Sequence, residues 1–71
     1  MTPFQFYKAH LKNRPHLEHV ADEAGTSLAY LEQLCRGYRN PSIKLAKRLV
    51  RATDRVVPLE EWLPDLKDSA A

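Results

Sequence analysis

Basic side chains in the middle of the chain are the residues best suited to binding a partner. Residues 36–55 hold seven Lys or Arg residues against one acidic residue, Asp54. Residues 1–35 carry a net charge of −1 and residues 56–71 one of −3, so the overall +2 conceals a basic block. A basic block inside a folded region favours a polyanion-binding surface, although a charged stripe is usually only a solvated face.

The other reactive residue types are not arranged for catalysis. His16, His19 and Glu23 have helical spacing and resemble half of a metal site, but no fourth ligand is near, so we interpret them as solvated side chains. Cys35 lies next to the basic residue Arg36, yet we interpret it as a packing residue rather than a reactive thiol. No nucleophile–base pair beside a cavity is indicated. We therefore expect no enzyme activity, metal, cofactor or small-molecule substrate.

Length and composition predict one small globular domain. The chain has 71 residues and 8.2 kDa, of which 44% are apolar and 28% charged. A core of this size cannot enclose a large cofactor. No apolar run is long enough to span a membrane and no leader is visible at the start, while a single cysteine suits a reducing cytoplasm. We expect a cytoplasmic domain over residues 1–66, followed by a disordered acidic tail end, residues 67–71.

Capping residues and helical periodicity predict five short helices and no strand. The first helix begins at the capping box Thr2-Pro3-Phe4-Gln5 and is predicted to end near Asn13. Its apolar face is predicted to hold Phe4, Tyr7 and Leu11. The second helix begins at Pro15 and stops at Gly25, where a left-handed cap is needed. Its apolar stripe is Leu17, Val20, Ala21 and Ala24.

The remaining three helices follow the same rules. Ser27 caps the third helix and Gly37 ends it. Its shared face is Leu28, Leu31, Leu34 and Cys35. The run Asn40-Pro41-Ser42 opens the fourth helix, whose apolar side is predicted to be Ile43, Ala46, Leu49, Val50 and Thr53. Pro58 begins a short fifth helix.

Residues 17–37 have the spacing of a helix-turn-helix motif. Two short helices are joined by a turn of three or four residues with glycine at its entry. Ala21 must be small because the next helix crosses close over it, and Gly25 lets the chain turn with positive φ. Val20, Leu31 and Leu34 form the wedge that fixes the crossing angle. The alternative is a plain helical bundle.

The run from His19 to Gly37 resembles the motif of phage repressor and Cro-type regulators. The similarity extends over Lys44–Thr53 and Glu60–Asp65 to Cro/YdaS-type prophage regulators, which implies a lambda-repressor-like domain. This sequence has Asp54-Arg55 where that family usually has two glycines, and Trp62-Leu63 where Leu-Arg is common.

The resemblance implies a sequence-specific DNA-binding regulator, of the repressor kind, that inserts its third helix into the major groove of an operator. By position, the base contacts would be Ser27, Leu28, Ala29, Glu32, Gln33 and Arg36. Gln33 suits adenine and Arg36 suits guanine or a phosphate. Glu32 would accept a hydrogen bond from the amino group of cytosine or repel phosphates. Leu28 is equally consistent with a residue at the edge of the core.

Phosphate contacts are expected on both sides of the third helix. The candidates are Tyr30, Tyr38, Arg39, Asn40, Ser42, Lys44 and His16. Asn40 and Ser42 lie at the start of the fourth helix, where free N–H groups favour an anion. The family often has a phosphate-binding glutamine where this chain has Leu17, so that contact is absent or shifted to His16. Lys47, Arg48 and Arg51 are at least as consistent with a solvated face.

An apolar cluster near the C-terminus has two possible roles. Its members are Val57, Leu59, Trp62, Leu63 and Leu66. It either seals the domain's own core or contacts a second subunit. A homodimer on palindromic half-sites is expected from the fold class, because one helix reads few base pairs.

Two other kinds of function stay open at this point. One is a protein-interaction module, such as the antitoxin component of a toxin pair, which the YdaS-like resemblance allows. The other is an architectural or RNA-binding helical bundle. Specific binding to double-stranded DNA in excess random competitor would separate the first interpretation from both.

Overall fold

The computed structural model describes residues 1–63, which contain five helices and no strand. The helices are α1 (Pro3–Ala9), α2 (Arg14–Glu23), α3 (Leu28–Cys35), α4 (Ile43–Ala52) and α5 (Leu59–Trp62). This confirms the predicted all-α fold of five short helices. Within these residues, every helix is too short to cross a lipid bilayer. Residues 64–66 of the predicted domain, which include Leu66, and the predicted tail end 67–71 lie outside the described residues.

Side-chain caps begin three of the helices as the sequence predicts. At α1, the Gln5 N–H donates to Thr2 Oγ1 at 3.1 Å, and the Thr2 N–H donates to Gln5 Oε1 at 2.9 Å. Ser27 and Ser42 each accept a hydrogen bond at 3.1 Å from the backbone N–H three residues on. Each cap satisfies a backbone donor that has no intrahelical acceptor, so the starts of α1, α3 and α4 are fixed locally.

The ends of α2 and α3 are Schellman motifs. After α2, the Gly25 N–H donates to Asp22 O at 3.0 Å and the Thr26 N–H donates to Ala21 O at 2.9 Å. After α3, Gly37 occupies the same position, and the two glycines have φ of +75° and +83°. Glycine adopts this left-handed conformation without a Cβ clash. Both helix-stop predictions are therefore confirmed.

The end of α4 has the same hydrogen bonds without a glycine. The Asp54 N–H donates to Arg51 O at 3.0 Å and the Arg55 N–H donates to Val50 O at 2.8 Å. Asp54 and Arg55 have φ of 55° and 63°, so both are left-handed. These are the two positions where the resembling family usually has glycines. The backbone thus keeps the conformation that glycine favours. This conformation costs free energy here, because both residues carry a Cβ atom.

The core is built around the predicted stripe of α2. Leu17, Val20, Ala21 and Ala24 are all buried, and they meet the buried side of α3. That side consists of Leu31, Leu34 and Cys35. Helix α1 packs against α3, while α4 packs against α2 and α5. The wedge predicted for the helix-turn-helix motif is therefore buried as a unit, which leaves the opposite side of α3 free.

The predicted extent of α1 is wrong, and so is the assignment of Phe4 and Leu11 to its apolar face, whereas Tyr7 is buried as predicted. The helix ends at Ala9 rather than near Asn13, and the His10 ring Nδ1 lies 2.9 Å from Phe6 O at this end. Phe4 and Leu11 are 49% and 46% exposed. The buried residues are Phe6 and Tyr7. The helix makes too few turns for a stripe through Leu11, and its packing against α3 selects two adjacent residues instead.

In α4, the assignment of Ile43 to the apolar side is wrong. Ile43 is 58% exposed, whereas Ala46, Leu49 and Thr53 are buried. Ile43 is the first residue after the Ser42 cap, at the very end of the helix. Helical periodicity gives the angle of a residue around the helix axis but not where the neighbouring helix ends. The apolar stripe predicted from periodicity is therefore one turn too long.

The C-terminal apolar cluster lies largely inside the domain. Trp62 is 2% exposed and Val57 is fully buried, while Leu59 and Leu63 are half-buried and pack against the core. This burial supports the core-sealing interpretation for Trp62 and Val57. A contact with a second subunit stays a prediction. Within the cluster, Leu59 and Leu63 have partly exposed side chains that could make it.

Replacing Arg55 with glycine should stabilise the fold by about 0.5–1 kcal/mol. The left-handed conformation costs a residue with a Cβ about 1–2 kcal/mol, and part of this gain is offset by the larger chain entropy of glycine in the unfolded state. Urea denaturation of the variant and the parent measures the difference.

Arg51→Gly is the matched control, because it makes the same exchange inside α4. It should destabilise by about 0.5–1 kcal/mol. An Arg55→Gly variant that loses as much stability as Arg51→Gly would show that Arg55 is not strained.

Candidate nucleic-acid interface

The exposed side of α3 brings together most of the predicted base contacts. Because Leu31, Leu34 and Cys35 face the core, the residues between them face outward. A shallow depression of about 290 Å³ is lined by Ala29, Glu32, Gln33, Arg36 and Tyr38. Ser27 is exposed at the N-cap. The side chains predicted to reach bases thus form one surface along the helix.

Leu28 is at the margin of this surface. It is half-buried and packs against the core. Its predicted base contact stays a prediction, because part of the side chain is covered by its own domain. The sequence is consistent with either a base contact or a residue at the edge of the core for Leu28. In the structure it lies at the edge of the core.

Arg36 is held over α1 by aromatic and acidic neighbours. Its guanidinium carbon lies 5.6 Å from the centroid of the Tyr7 ring, and its Nη2 is 3.3 Å from Glu32 Oε1. A hydrogen bond with the Tyr7 side chain is the largest cause of a raised Arg36 pKa, followed by one with Tyr38. The cation is therefore oriented before any partner arrives, on the same surface as Gln33.

Gln33 is hydrogen-bonded to a residue beyond the end of its own helix. Arg39 Nε donates to Gln33 Oε1 at 2.8 Å. Sequence reasoning missed this pair, because residues six apart across a helix stop share no periodicity. The only available signal was that a glycine stop returns the chain toward the last turn of the helix.

The start of α4 and the loop before it present most of the predicted phosphate contacts. Tyr38, Arg39, Asn40, Ser42 and Lys44 are all exposed, and Tyr38 is 73% so. The first N–H groups of a helix lack intrahelical acceptors and carry the positive end of its dipole. This segment follows α3 directly, so the candidate base and phosphate contacts are adjacent along the chain. Tyr30 is half-buried and packs against the core.

His16 lies in a stack of rings between α1 and α2. Its ring centroid is 4.6 Å from that of His10 and 6.1 Å from that of Phe6. The ring is half-buried, so a phosphate contact from His16 stays a prediction that only its exposed part can satisfy. Neither His10 nor this stack was anticipated from the sequence.

The suspected half metal site is divided in the structure. His19 Nε2 lies 3.3 Å from Glu23 Oε1 in an exposed pair, while His16 belongs to the ring stack. Within residues 1–63, no three His, Cys, Asp or Glu side chains are grouped so as to hold a metal ion.

The basic side chains of α4 form a second charged surface. Lys44, Lys47, Arg48 and Arg51 are exposed and border one shallow depression. Arg48 also reaches the turn of the motif, because a Cβ added at Gly25 would lie 3.3 Å from Arg48 Nη1. The basic block of the sequence is thus continuous with the turn that leads into α3.

Cys35 should be an unreactive thiol. Burial, and then the charge of Glu32, raise the pKa of Cys35 to about 12, so almost all of it is protonated at pH 8. We expect iodoacetamide to label the folded protein at least about tenfold more slowly than the urea-unfolded protein, since the thiolate is the nucleophile. Mass spectrometry of timed samples measures both rates. Equal rates would mean that Cys35 is neither buried nor neutral.

Comparison with known proteins assigns the chain to a family. The helix-turn-helix family matches residues 17–62, well over half of the 71 residues. The match begins at Leu17, the first buried residue of α2, and ends at Trp62, the last residue of α5. No curated protein and no solved structure gives a significant match. The turn at Gly25, the buried wedge and the family match agree, and the chain belongs to the helix-turn-helix family of DNA-binding regulators.

Proposed function

We propose that this protein is a sequence-specific, Cro-type repressor that inserts α3 into the major groove of an operator. The observation that carries the proposal is the exposed side of α3, where Gln33 and Arg36 face outward beside a cationic segment. An α-helix fits the major groove, in which each base pair presents a distinct pattern of donors and acceptors.

The two sets of side chains have separate tasks in this proposal. Those on α3, above all Gln33 and Arg36, read base edges. Those that follow α3, above all Arg39, Ser42 and Lys44, bind the phosphates that flank the groove and fix the register of α3. Their adjacency along the chain supports this division, because one rigid connection then sets both contacts. Glu32 is paired with Arg36 at 3.3 Å, which reduces its repulsion of phosphates.

Repression follows from occupancy in this proposal. Four exposed basic side chains of α4, Lys44, Lys47, Arg48 and Arg51, border one shallow depression and give the protein a cationic surface for DNA. A protein that covers an operator blocks another protein from the same DNA without any chemistry. We therefore propose simple exclusion as the mode of regulation.

Specificity is tested by selecting bound sites from a pool of random duplexes. The parent should enrich a defined sequence and hold it in excess random DNA. Gln33→Ala should lose preference at one base pair, at a cost of about 1–3 kcal/mol, while the variant still folds.

Glu60→Gln is a suitable control, because Glu60 is exposed and lies outside residues 27–44, which hold the candidate contacts on α3 and at the start of α4. It should select the same sites as the parent. If the parent enriches no sequence, the protein is not a sequence-specific regulator, and a protein-interaction module becomes the better interpretation.

Binding as a dimer is the second part of the proposal. One domain of this size contacts about 4–6 phosphates, so log K should fall with log salt by about 0.9 for each of them. A dimer on a two-fold operator should show about twice the slope of a single half-site. Titrations on the whole operator and on one half-site, beside sedimentation of the complexes, measure this. A saturated palindromic site that holds one subunit would refute the dimer.

A further inference from the structure

We propose that Arg39 determines the base preference of Gln33, so that the pair selects guanine where glutamine alone would select adenine. The inference rests on the proposed insertion of α3 into the major groove. It starts from the hydrogen bond of 2.8 Å between Arg39 Nε and Gln33 Oε1, which joins a candidate phosphate contact to a candidate base contact.

The chemistry of the two groups fixes the orientation of the amide. A guanidinium has only donors, so only the carbonyl oxygen of Gln33 can face Arg39. The amide Nε2 then points away from Arg39 and keeps both of its N–H donors. The guanidinium uses its Nε–H on Gln33, and its two terminal groups keep four further donors. The pair therefore keeps six free N–H donors, against one acceptor site, the second lone pair of Gln33 Oε1.

The helix end places Arg39 beside Gln33. The Tyr38 N–H donates to the backbone carbonyl of Gln33 at 3.0 Å, as part of the Schellman motif at Gly37. Residue 39 is thereby held next to the last turn of α3 by the backbone. The side-chain bond is then a second link between the same two segments. Removal of water in a complex with DNA strengthens such a bond, because the local dielectric constant falls.

The major-groove edges of the purines respond differently to this arrangement. Adenine presents one acceptor, N7, and one donor, the N6 amino group, so glutamine reads it with both its oxygen and its nitrogen. Guanine presents two acceptors, N7 and O6. With one lone pair of Oε1 taken by Arg39, the pair offers mostly donors, which match the two acceptors of guanine. Adenine would need the one remaining lone pair of Oε1 for its amino group.

Selection from random duplexes tests the inference with three proteins. Gln33→Ala identifies the base pair that Gln33 reads, as the position whose preference disappears. At that position the parent should favour guanine over adenine by about 5-fold or more. Arg39→Met, which removes the donor but keeps a long side chain, should shift the preference to adenine. Arg39 is exposed, so this variant is expected to fold, and circular dichroism melting verifies it.

Arg51→Met is the matched control. It removes an exposed arginine of α4 whose side chain is not bonded to Gln33. It should leave the base preference unchanged. A parent that selects adenine at this position, or an Arg39→Met variant with the parental preference and uniformly weaker binding, would overturn the inference and leave Arg39 as a phosphate contact. Unchanged selectivity in Gln33→Ala would overturn it as well. A parent that selects no sequence would instead refute the proposed function on which the inference rests.

Discussion

The turn at Gly25 between α2 and α3 is the constraint on which the rest of the structure depends. Its positive φ and its two hydrogen bonds back to α2 reverse the chain within a few residues. This lets α3 pack against α2, with Leu31, Val20 and Ala21 all buried. Once one side of α3 is committed to this packing, its other side must face outward, and the candidate base contacts are on that side.

The same helix-ending geometry occurs at three places in the described residues, and it serves the interface twice. At Gly25 it orients α3, and at Gly37 it returns the chain so that Arg39 reaches Gln33. At Asp54 and Arg55 it has no role in the interface and is made by residues that the conformation disfavours. That turn instead leads to Val57 and Trp62, which close the core. The fold thus tolerates local strain where the turn only supports packing.

The sequence predicted those features that depend on neighbours a few residues apart. The stripe from Leu17 to Ala24, the caps at Ser27 and Ser42 and the stops at Gly25 and Gly37 are of this kind, and all were confirmed. The errors concern helix ends and tertiary packing. Phe4 and Leu11 were placed in the core because their spacing is helical, but the burial of Phe6 and Tyr7 depends on where α3 lies.

The candidate site shows the same limit. Its residue types and the outward side of α3 follow from periodicity, whereas the bond from Arg39 to Gln33 and the position of Arg36 over Tyr7 depend on contacts between elements. The stack of His16 on His10 is another such contact. No spacing rule relates these residues, since each pair joins different elements or crosses a helix end.

The central claim is that α3 and the start of α4 are the DNA-binding surface. Titrating the ¹⁵N-labelled protein with a selected duplex, and following each backbone and side-chain amide by NMR, tests it most directly. The largest shifts should fall in residues 27–44, with the Gln33 side-chain amide among them, and the shifts in α5 should be smaller. Largest shifts in α5, with the exposed side of α3 unaffected, would contradict it.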